Sequence, residues 1–308
     1  MTRFIQAGNR DIKVEGGLIR TGRLDGENYC FLEDPEPVAQ GLRSSSKRVD
    51  LFTFIQKLPD AIETQPDSLP KYSYPMEWDN FAALPITSYE DWWTKTLGFK
   101  ARNKAKQAEK RGVVLKEIEY GEAVVQGIWE IYNETPIRQG KKFPHYGMTL
   151  DQIRKYAGTF LGQSVFIGAF LEDRMIGFAK MVWNETRTQA GLMHILSLVS
   201  ERDKSPTNAL MARAVQACAD RGTPWLVYSN FSYGKKQSDS LSDFKERNGF
   251  QKVCVPRYYV PLTPLGHIAL RFGLHRRFAD RVPEPMAGKL RHLRKVWYDR
   301  RFRALAES

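Results

Sequence analysis

With 308 residues and 42% hydrophobic content, the chain can bury one large core or two smaller ones. Its 47 lysines and arginines against 35 acidic residues leave a net charge of +12, which favours polyanionic partners: RNA, phosphorylated sugars or nucleotides, or an anionic membrane surface. Cys30, Cys218 and Cys254 are odd in number and lack paired metal spacing, so neither a disulfide framework nor a zinc site is expected, and reduced cytosolic thiols fit best.

No uncharged run approaches the roughly 20 residues that span a bilayer. The N-terminal segment Met1-Thr-Arg-Phe-Ile-Gln-Ala-Gly-Asn-Arg10 lacks the apolar stretch of a signal peptide. A cytoplasmic location is the expectation, with contact at the inner face of the membrane left open.

Residues 1–95 read as short strands between polar turns. Gly17-Leu-Ile-Arg-Thr-Gly-Arg-Leu24 is a strand interrupted by glycine, and Val49-Asp-Leu-Phe-Thr-Phe-Ile-Gln56 a buried one. Prolines from Pro59 to Pro70 mark a loop, and Phe81-Ala-Ala-Leu-Pro-Ile86 predicts another strand. Ser88 is placed to N-cap a helix with Glu90 and Asp91 in its first turn, and Trp92 and Trp93 lie inside that helix, where core packing is the expected role of at least one. Lys100 to Arg111 is rich in helix formers and stops at Gly112. Its cations suit either a solvated face or a phosphate contact.

Val113-Val-Leu115 predicts a strand, Ala123 to Tyr132 an amphipathic helix, and Thr135 to Gly147 a loop carrying cations, aromatics and two prolines. Val165 to Leu171 and Ile176 to Val182 form a strand, turn, strand unit. Ala190 to Val199 is a third strand and Asn208 to Arg221 a helix ended by Gly222. Trp225-Leu-Val-Tyr228, the helix Leu241 to Arg247 and the strand Lys252 to Val260 complete a mixed α/β sheet with both faces partly covered. No short-period repeat points to a solenoid or propeller.

From Pro261 the composition shifts: residues 262–308 hold 11 Lys and Arg against 4 Asp and Glu. Arg276, Arg277, Arg281, Lys289, Arg291, Arg294, Lys295, Arg300, Arg301 and Arg303 alternate with apolar residues. Such a tail suits an anionic bilayer, RNA, or packing on its own domain, and peripheral membrane contact would run through residues 276–308.

The order of elements from Val165 to Leu262 resembles the GNAT acyltransferase fold, and residues 45–262 more specifically resemble its FemAB-like branch. The likeness is carried by Asp50-Leu-Phe-Thr-Phe54, Trp92-Trp93, Arg102-Asn103, Ala108-Glu-Lys-Arg-Gly-Val113, Thr135, Arg138-Gln-Gly140, Phe244-Lys245 and Gly249-Phe250. It implies a GNAT-like mixed central sheet flanked by helices, preceded by an incomplete GNAT-like half. The expected boundaries are 1–112 for the half, 113–262 for the acyltransferase domain and 263–308 for a basic helical tail. It also implies transfer of an acyl or aminoacyl group to the amine of a small molecule or peptide precursor. The donor would be aminoacyl-tRNA, an acyl-CoA or an acyl-carrier thioester, with no tightly bound cofactor. A non-catalytic module that holds RNA or an anionic membrane on the same fold is the alternative.

Two departures from an acetyl-CoA enzyme bear on the donor. A standard GNAT loop, Arg/Gln-x-x-Gly-x-Gly/Ala, offers backbone N–H groups to the CoA pyrophosphate. Here the stretch is Ser200-Glu-Arg-Asp-Lys-Ser-Pro-Thr-Asn-Ala209, without glycine and with Pro206 lacking a donor. Lys204, Ser205 and Thr207 are left as candidate phosphate contacts at the helix N-terminus, alongside a plain helix cap. Many GNAT enzymes also carry Tyr-x-x-x-Gly-Phe, whereas this chain has Lys245-Glu-Arg-Asn-Gly249-Phe250. A lysine there is a fixed cation for a phosphate, a developing oxyanion or a leaving alkoxide, and in Fem-type enzymes the matching lysine is thought to serve the transition state.

Transfer to an amine needs a proton acceptor, for which His145 is the leading residue and Glu134 and Tyr233 are others. The resemblance puts Arg138, Lys141 and Tyr146 in the acceptor-binding loop, and Asn230 to Tyr233 along the donor channel. The nucleophile-elbow, His-Glu-x-x-His and Walker patterns are all missing from the sequence, so direct attack in a ternary complex is expected, with no metal. Oligomeric state is not legible.

Overall fold

A computed structural model describes residues 3–60, 62, 69–231 and 240–276. Its strands are β1 (Arg3–Ala7), β2 (Arg10–Glu15), β3 (Thr21–Leu24), β4 (Leu51–Ile55), β5 (Met76–Pro85), β6 (Val113–Ile118), β7 (Ile137–Arg138), β8 (Lys141–Lys142), β9 (Ser164–Leu171), β10 (Arg174–Trp183), β11 (Gln189–Ser197), β12 (Trp225–Val227) and β13 (Gln251–Pro261). The α-helices are α1 (Glu36–Arg43), α2 (Tyr89–Asp91), α3 (Phe99–Lys110), α4 (Glu122–Asn133), α5 (Leu150–Ala157), α6 (Pro206–Asp220), α7 (Ser240–Arg247) and α8 (Pro264–Arg271). The expected mixed α/β architecture, strands in a large mixed sheet flanked by helices, is what forms.

The chain divides into two compact units, each assembled from segments distant in sequence. Of the described residues, the first takes in those up to Gly98, Met181–Met193 and those from Val215 to Arg276; the second takes in Phe99–Lys180 and His194–Ala214.

In the first unit the hydrogen-bonded order is β1-β2-β3-β4-β13-β5-β12-β11. β3–β4 and β11–β12 run parallel, and the long β13 pairs antiparallel with both β4 and β5. Phe52, Phe54 and Tyr258 are buried at its centre, with Tyr72 and Tyr74 packed against them. Asp50, fully buried, accepts the N–H of Arg20 at 2.9 Å, Nε of Arg48 at 2.8 Å and the hydroxyl of Thr263 at 2.7 Å. It therefore fixes the start of β4 and the cap of α8, a structural role for the first of the resemblance motifs.

In the second unit the order is β11-β10-β9-β6, and β6 pairs antiparallel with β9. Val125, Ile128, Ile131 and Tyr132 of α4 are buried, as are Ile167, Phe178 and Leu210. Lys180 is fully buried on β10, and its Nζ donates to the carbonyls of Ala157 (2.8 Å) and Thr159 and to the Thr159 hydroxyl at 3.2 Å. The ammonium thus closes the C-terminus of α5, where carbonyls lack helical partners.

Candidate functional site

In the first unit the chemistry gathers where β12 ends. Tyr228 donates its N–H to Ala82 and Ser229 accepts from Ala82, both at 2.8 Å, so pairing with β5 outlasts β12 itself. Ser229 then turns the chain at φ +52. The carbonyl of Asn230 accepts Lys245 Nζ at 2.5 Å, and the ammonium sits over the Tyr228 ring at 4.9 Å. Lys245 is fully buried. A buried cation is stable only when paired or solvated by dipoles, so the carbonyl and the ring face hold it in one place.

Lys245 is positioned by the end of α7. Gly249 takes φ +86, and the N–H of Phe250 returns to the Lys245 carbonyl at 3.0 Å while that of Gly249 meets Glu246 at 2.9 Å. Phe250 is buried beneath the turn. Trp92, buried, donates Nε1 to the Asn248 carbonyl at 2.9 Å, so the tryptophan pair and the Phe-Lys turn, read as separate motifs in sequence, are one assembly. Trp92 and Trp93 start a π-helical turn, Trp92–Thr96, after the Ser88 cap, whose hydroxyl accepts Asp91 N–H at 3.0 Å.

Behind Asn230 runs a polar chain that sequence reasoning missed. The Asn230 side-chain amide donates to Asp79 at 2.7 Å, Arg257 Nε donates to Asp79 at 3.0 Å, and Arg257 donates to Glu27 at 2.8 Å. Burial disfavours the Arg257 charge, but Glu27 and Asp79 outweigh it and the guanidinium pKa is raised. These four residues are scattered over 230 positions, so no spacing announces them. Tyr233, expected on the donor side, lies outside the described residues.

The second unit holds the remaining sequence-named residues. Glu134, at the C-terminal end of α4, aims its carboxylate at the loop after β11 and accepts the N–H groups of Val199 at 2.5 Å and Ser200 at 2.8 Å. Burial pushes this carboxyl up, but those two donors and Arg138 outweigh it and its pKa is lowered, which makes Glu134 a weak proton acceptor. Arg138 donates to the carbonyls of Ser197 (2.7 Å) and Ile131, lies 3.4 Å from Glu134 and covers the Phe143 ring at 4.7 Å. Its guanidinium is thereby committed to binding the α4 end to β11.

Lys204 pairs with Glu201 at 2.7 Å and Asp203 at 3.5 Å. Ser205 is nearly buried at φ +57, and the Thr207 hydroxyl shares a hydrogen bond with Ser197 at 3.0 Å. Of the three named phosphate contacts, the Lys204 ammonium and the Thr207 hydroxyl already have protein partners. Lys141 and Tyr146 are exposed in and after the small β7–β8 hairpin. His145 is half-buried and stacks on Tyr132 with centroids 4.6 Å apart, and burial lowers its pKa, so it is a neutral imidazole at neutral pH.

Among the described residues no group of three or more His, Cys, Asp and Glu is placed to hold a metal, and no helix is long and apolar enough to cross a membrane.

No family model and no curated protein matches the sequence. Solved structures do match the fold. The C-terminal domain of a protein described as a lysylphosphatidylglycerol synthetase from Agrobacterium fabrum aligns over 88% of this chain and 87% of its own, with TM-score 0.54 and 14% identity. L-PGS from Bacillus licheniformis aligns over 90% of both chains, with TM-score 0.53 and 12% identity. FemX aligns over 83% of this chain and 87% of its own, with TM-score 0.51 and 11% identity. The fold is thus shared with FemX and with these two lysylphosphatidylglycerol synthetase and L-PGS structures.

Proposed function

We propose that this chain is an aminoacyltransferase that moves an aminoacyl group from a tRNA ester to an amine by direct attack in a ternary complex. The observation that carries the reading is the buried Lys245 ammonium, fixed by the Asn230 carbonyl and the Tyr228 ring. A preorganised cation in a water-poor site stabilises negative charge on a tetrahedral intermediate or a leaving alkoxide far better than one in water. FemX and a protein described as a lysylphosphatidylglycerol synthetase share the fold, in keeping with an aminoacyl donor.

The donor is chosen by the loop after β11. A CoA diphosphate needs open N–H groups and uncompensated cations. Here Glu134 takes the N–H groups of Val199 and Ser200, and Glu201 and Asp203 take Lys204. A diphosphate would meet the three carboxylates of Glu134, Glu201 and Asp203, which argues for an ester on tRNA over a CoA thioester. The net charge of +12 supports the same polyanion.

The test offers purified protein mixed aminoacyl-tRNA, acyl-CoA and acyl-carrier protein with a panel of primary amines. Amide formation that requires charged tRNA is expected. Transfer from a thioester after complete ribonuclease treatment would sink the tRNA donor.

A further inference from the structure

Helix α3 carries charge that its own fold does not use. It buries only Ala101, Ala105 and Ala108, three short side chains on one face, and leaves most of its circumference in solvent. Lys100, Lys104, Lys106 and Lys110 are exposed on that remainder, and among the described residues none of their ammonium groups has a carboxylate partner. Other cations of the second unit are committed: Arg111, just past the helix, meets Asp203 at 2.8 Å, Arg154 meets Glu122 at 2.8 Å and Arg213 meets Glu117 at 2.9 Å.

The arrangement opposes helix stability. Lys100–Lys104 and Lys106–Lys110 are like-charge i, i+4 pairs, which repel on a helix surface. The first turn holds no acidic residue and places Lys100 against the positive end of the macrodipole. The one carboxylate of the helix is Glu109. Cations kept together at this cost, without protein partners, form a surface for a polyanion.

Which polyanion follows from what lies between the lysines. Phe99, Asn103, Lys106 and Lys110 stand at i, i+4, i+7 and i+11, so they share one stripe, with Lys100 and Lys104 beside it. Every exposed side chain from Lys100 to Lys110 is charged or an amide. A helix that lies on a bilayer needs an apolar face of large side chains, and α3 offers only Phe99, 74% exposed, at its first position. One aromatic ring ahead of a row of cations suits nucleic acid instead: the ring stacks on an unpaired base while the ammonium groups follow the phosphates. The 12 residues of α3 extend about 18 Å, enough to meet several phosphates of one strand.

We infer that α3 is an RNA-docking face, with Lys100, Lys104, Lys106 and Lys110 neutralising backbone phosphates and Phe99 stacking on an unpaired base. That the RNA is tRNA rests on the donor proposed above. Contacts to phosphates position the partner without reading its sequence.

The test measures binding of fluorescein-labelled, unfractionated deacylated tRNA to the full chain between about 50 and 300 mM salt. Two quadruple variants lower the net charge equally. The first combines Lys100→Gln, Lys104→Gln, Lys106→Gln and Lys110→Gln, which keeps helix propensity; the second combines Lys47→Gln, Lys142→Gln, Lys155→Gln and Lys252→Gln at exposed positions elsewhere. The first should lose about 10²-fold in affinity at about 100 mM salt and flatten the slope of log K on log salt by about 0.7–0.9 per lysine, while the second loses less than about threefold. The first should also be no less stable than the parent in urea, since it removes like-charge pairs, so weak binding would not reflect misfolding. Phe99→Ser should lose about 10-fold with the slope unchanged, because stacking releases no counterions. Equal losses in the two quadruple variants, or parental affinity in the first, would overturn the docking face. So would loss of the first variant from phosphatidylglycerol vesicles with tRNA binding intact, which would assign α3 to a bilayer. The donor reading fails separately: α3-dependent tRNA binding without transfer from charged tRNA keeps the face and removes the donor. Transfer at the parental kcat/KM by the first variant keeps the donor and removes the face.

Discussion

The Glu134 carboxylate accepts the Ser200 backbone N–H at 2.8 Å, which ties the C-terminal end of α4 to the loop after β11. Its pKa is lowered, since the Val199 and Ser200 donors and Arg138 outweigh burial. A depressed carboxyl stabilises the fold fully above the ordinary carboxylate range and loses that contribution as pH falls through its lowered value. Glu134→Gln keeps one acceptor oxygen and sets an NH₂ against a donor. The parent should exceed this variant by about 1–3 kcal/mol in urea unfolding at pH 7, with the gap closing in acid. A gap of constant size from neutral to acid pH would rule out the carboxylate as its source.

Lys245→Met tests the transferase reading while preserving the length of the side chain. The Asn230 carbonyl loses its ammonium donor, so a stability loss of about 1–3 kcal/mol is expected together with a fall of about 10²–10³-fold in single-turnover transfer. Lys245→Arg should not restore activity, because a fully buried site shaped to a point charge has no room for a planar fork. Turnover at the parental rate in the methionine variant, with the urea midpoint measured alongside, would refute the assignment.

The turn that holds Lys245 depends on Gly249. At φ +86 an L side chain is strained, and a Cβ there would lie 2.2 Å from Thr96 Cγ2. Gly222 has a similar φ of +62 and open space around it. Gly249→Ala should therefore lose more stability than Gly222→Ala, by about 1–3 kcal/mol. Thr96→Ser, which deletes Cγ2, should recover part of the difference in urea titrations of the double variant. Equal losses at the two glycines would mean that backbone strain alone matters.

Much of this fold is legible because its strands and helices announce themselves locally. Ser88 capping Asp91, Gly112 at φ +79 after α3, and the β9–β10 hairpin all follow from residue types at short range. What escapes is non-local or weakly patterned. β1 is only five residues long, β2 interleaves four charged residues with two apolar ones, α1 begins after Pro35 and contains Gly41, and α5 is an eight-residue helix inside a polar stretch, defined by the Thr149–Gln152 capping box. Lys245 and Asn230 were readable as motif and strand end. The Asp79–Arg257–Glu27 chain behind them and the Glu134 contact to Ser200 arise from register across the sheet and from loop closure, which carry no signal at any fixed sequence spacing.

Lys180 supplies a pH dependence of the opposite origin to Glu134. Burial lowers its pKa from 10.5 to about 8, although Nζ still reaches the carbonyls of Ala157 and Thr159. Between those two values the folded protein has released the proton while the unfolded chain retains it, so stability rises with pH across that interval. Below it both states are protonated and the contribution is flat. Subtracting the unfolding free energy of Lys180→Met from that of the parent at pH 7, 8, 9 and 10 removes the titration of every other group. The difference should stay level to about pH 8 and then grow in favour of the parent. A difference that instead shrinks as pH rises would show that the α5 carbonyls raise the lysine pKa, and that the Lys180 charge is a stabilising helix cap rather than a desolvated cation.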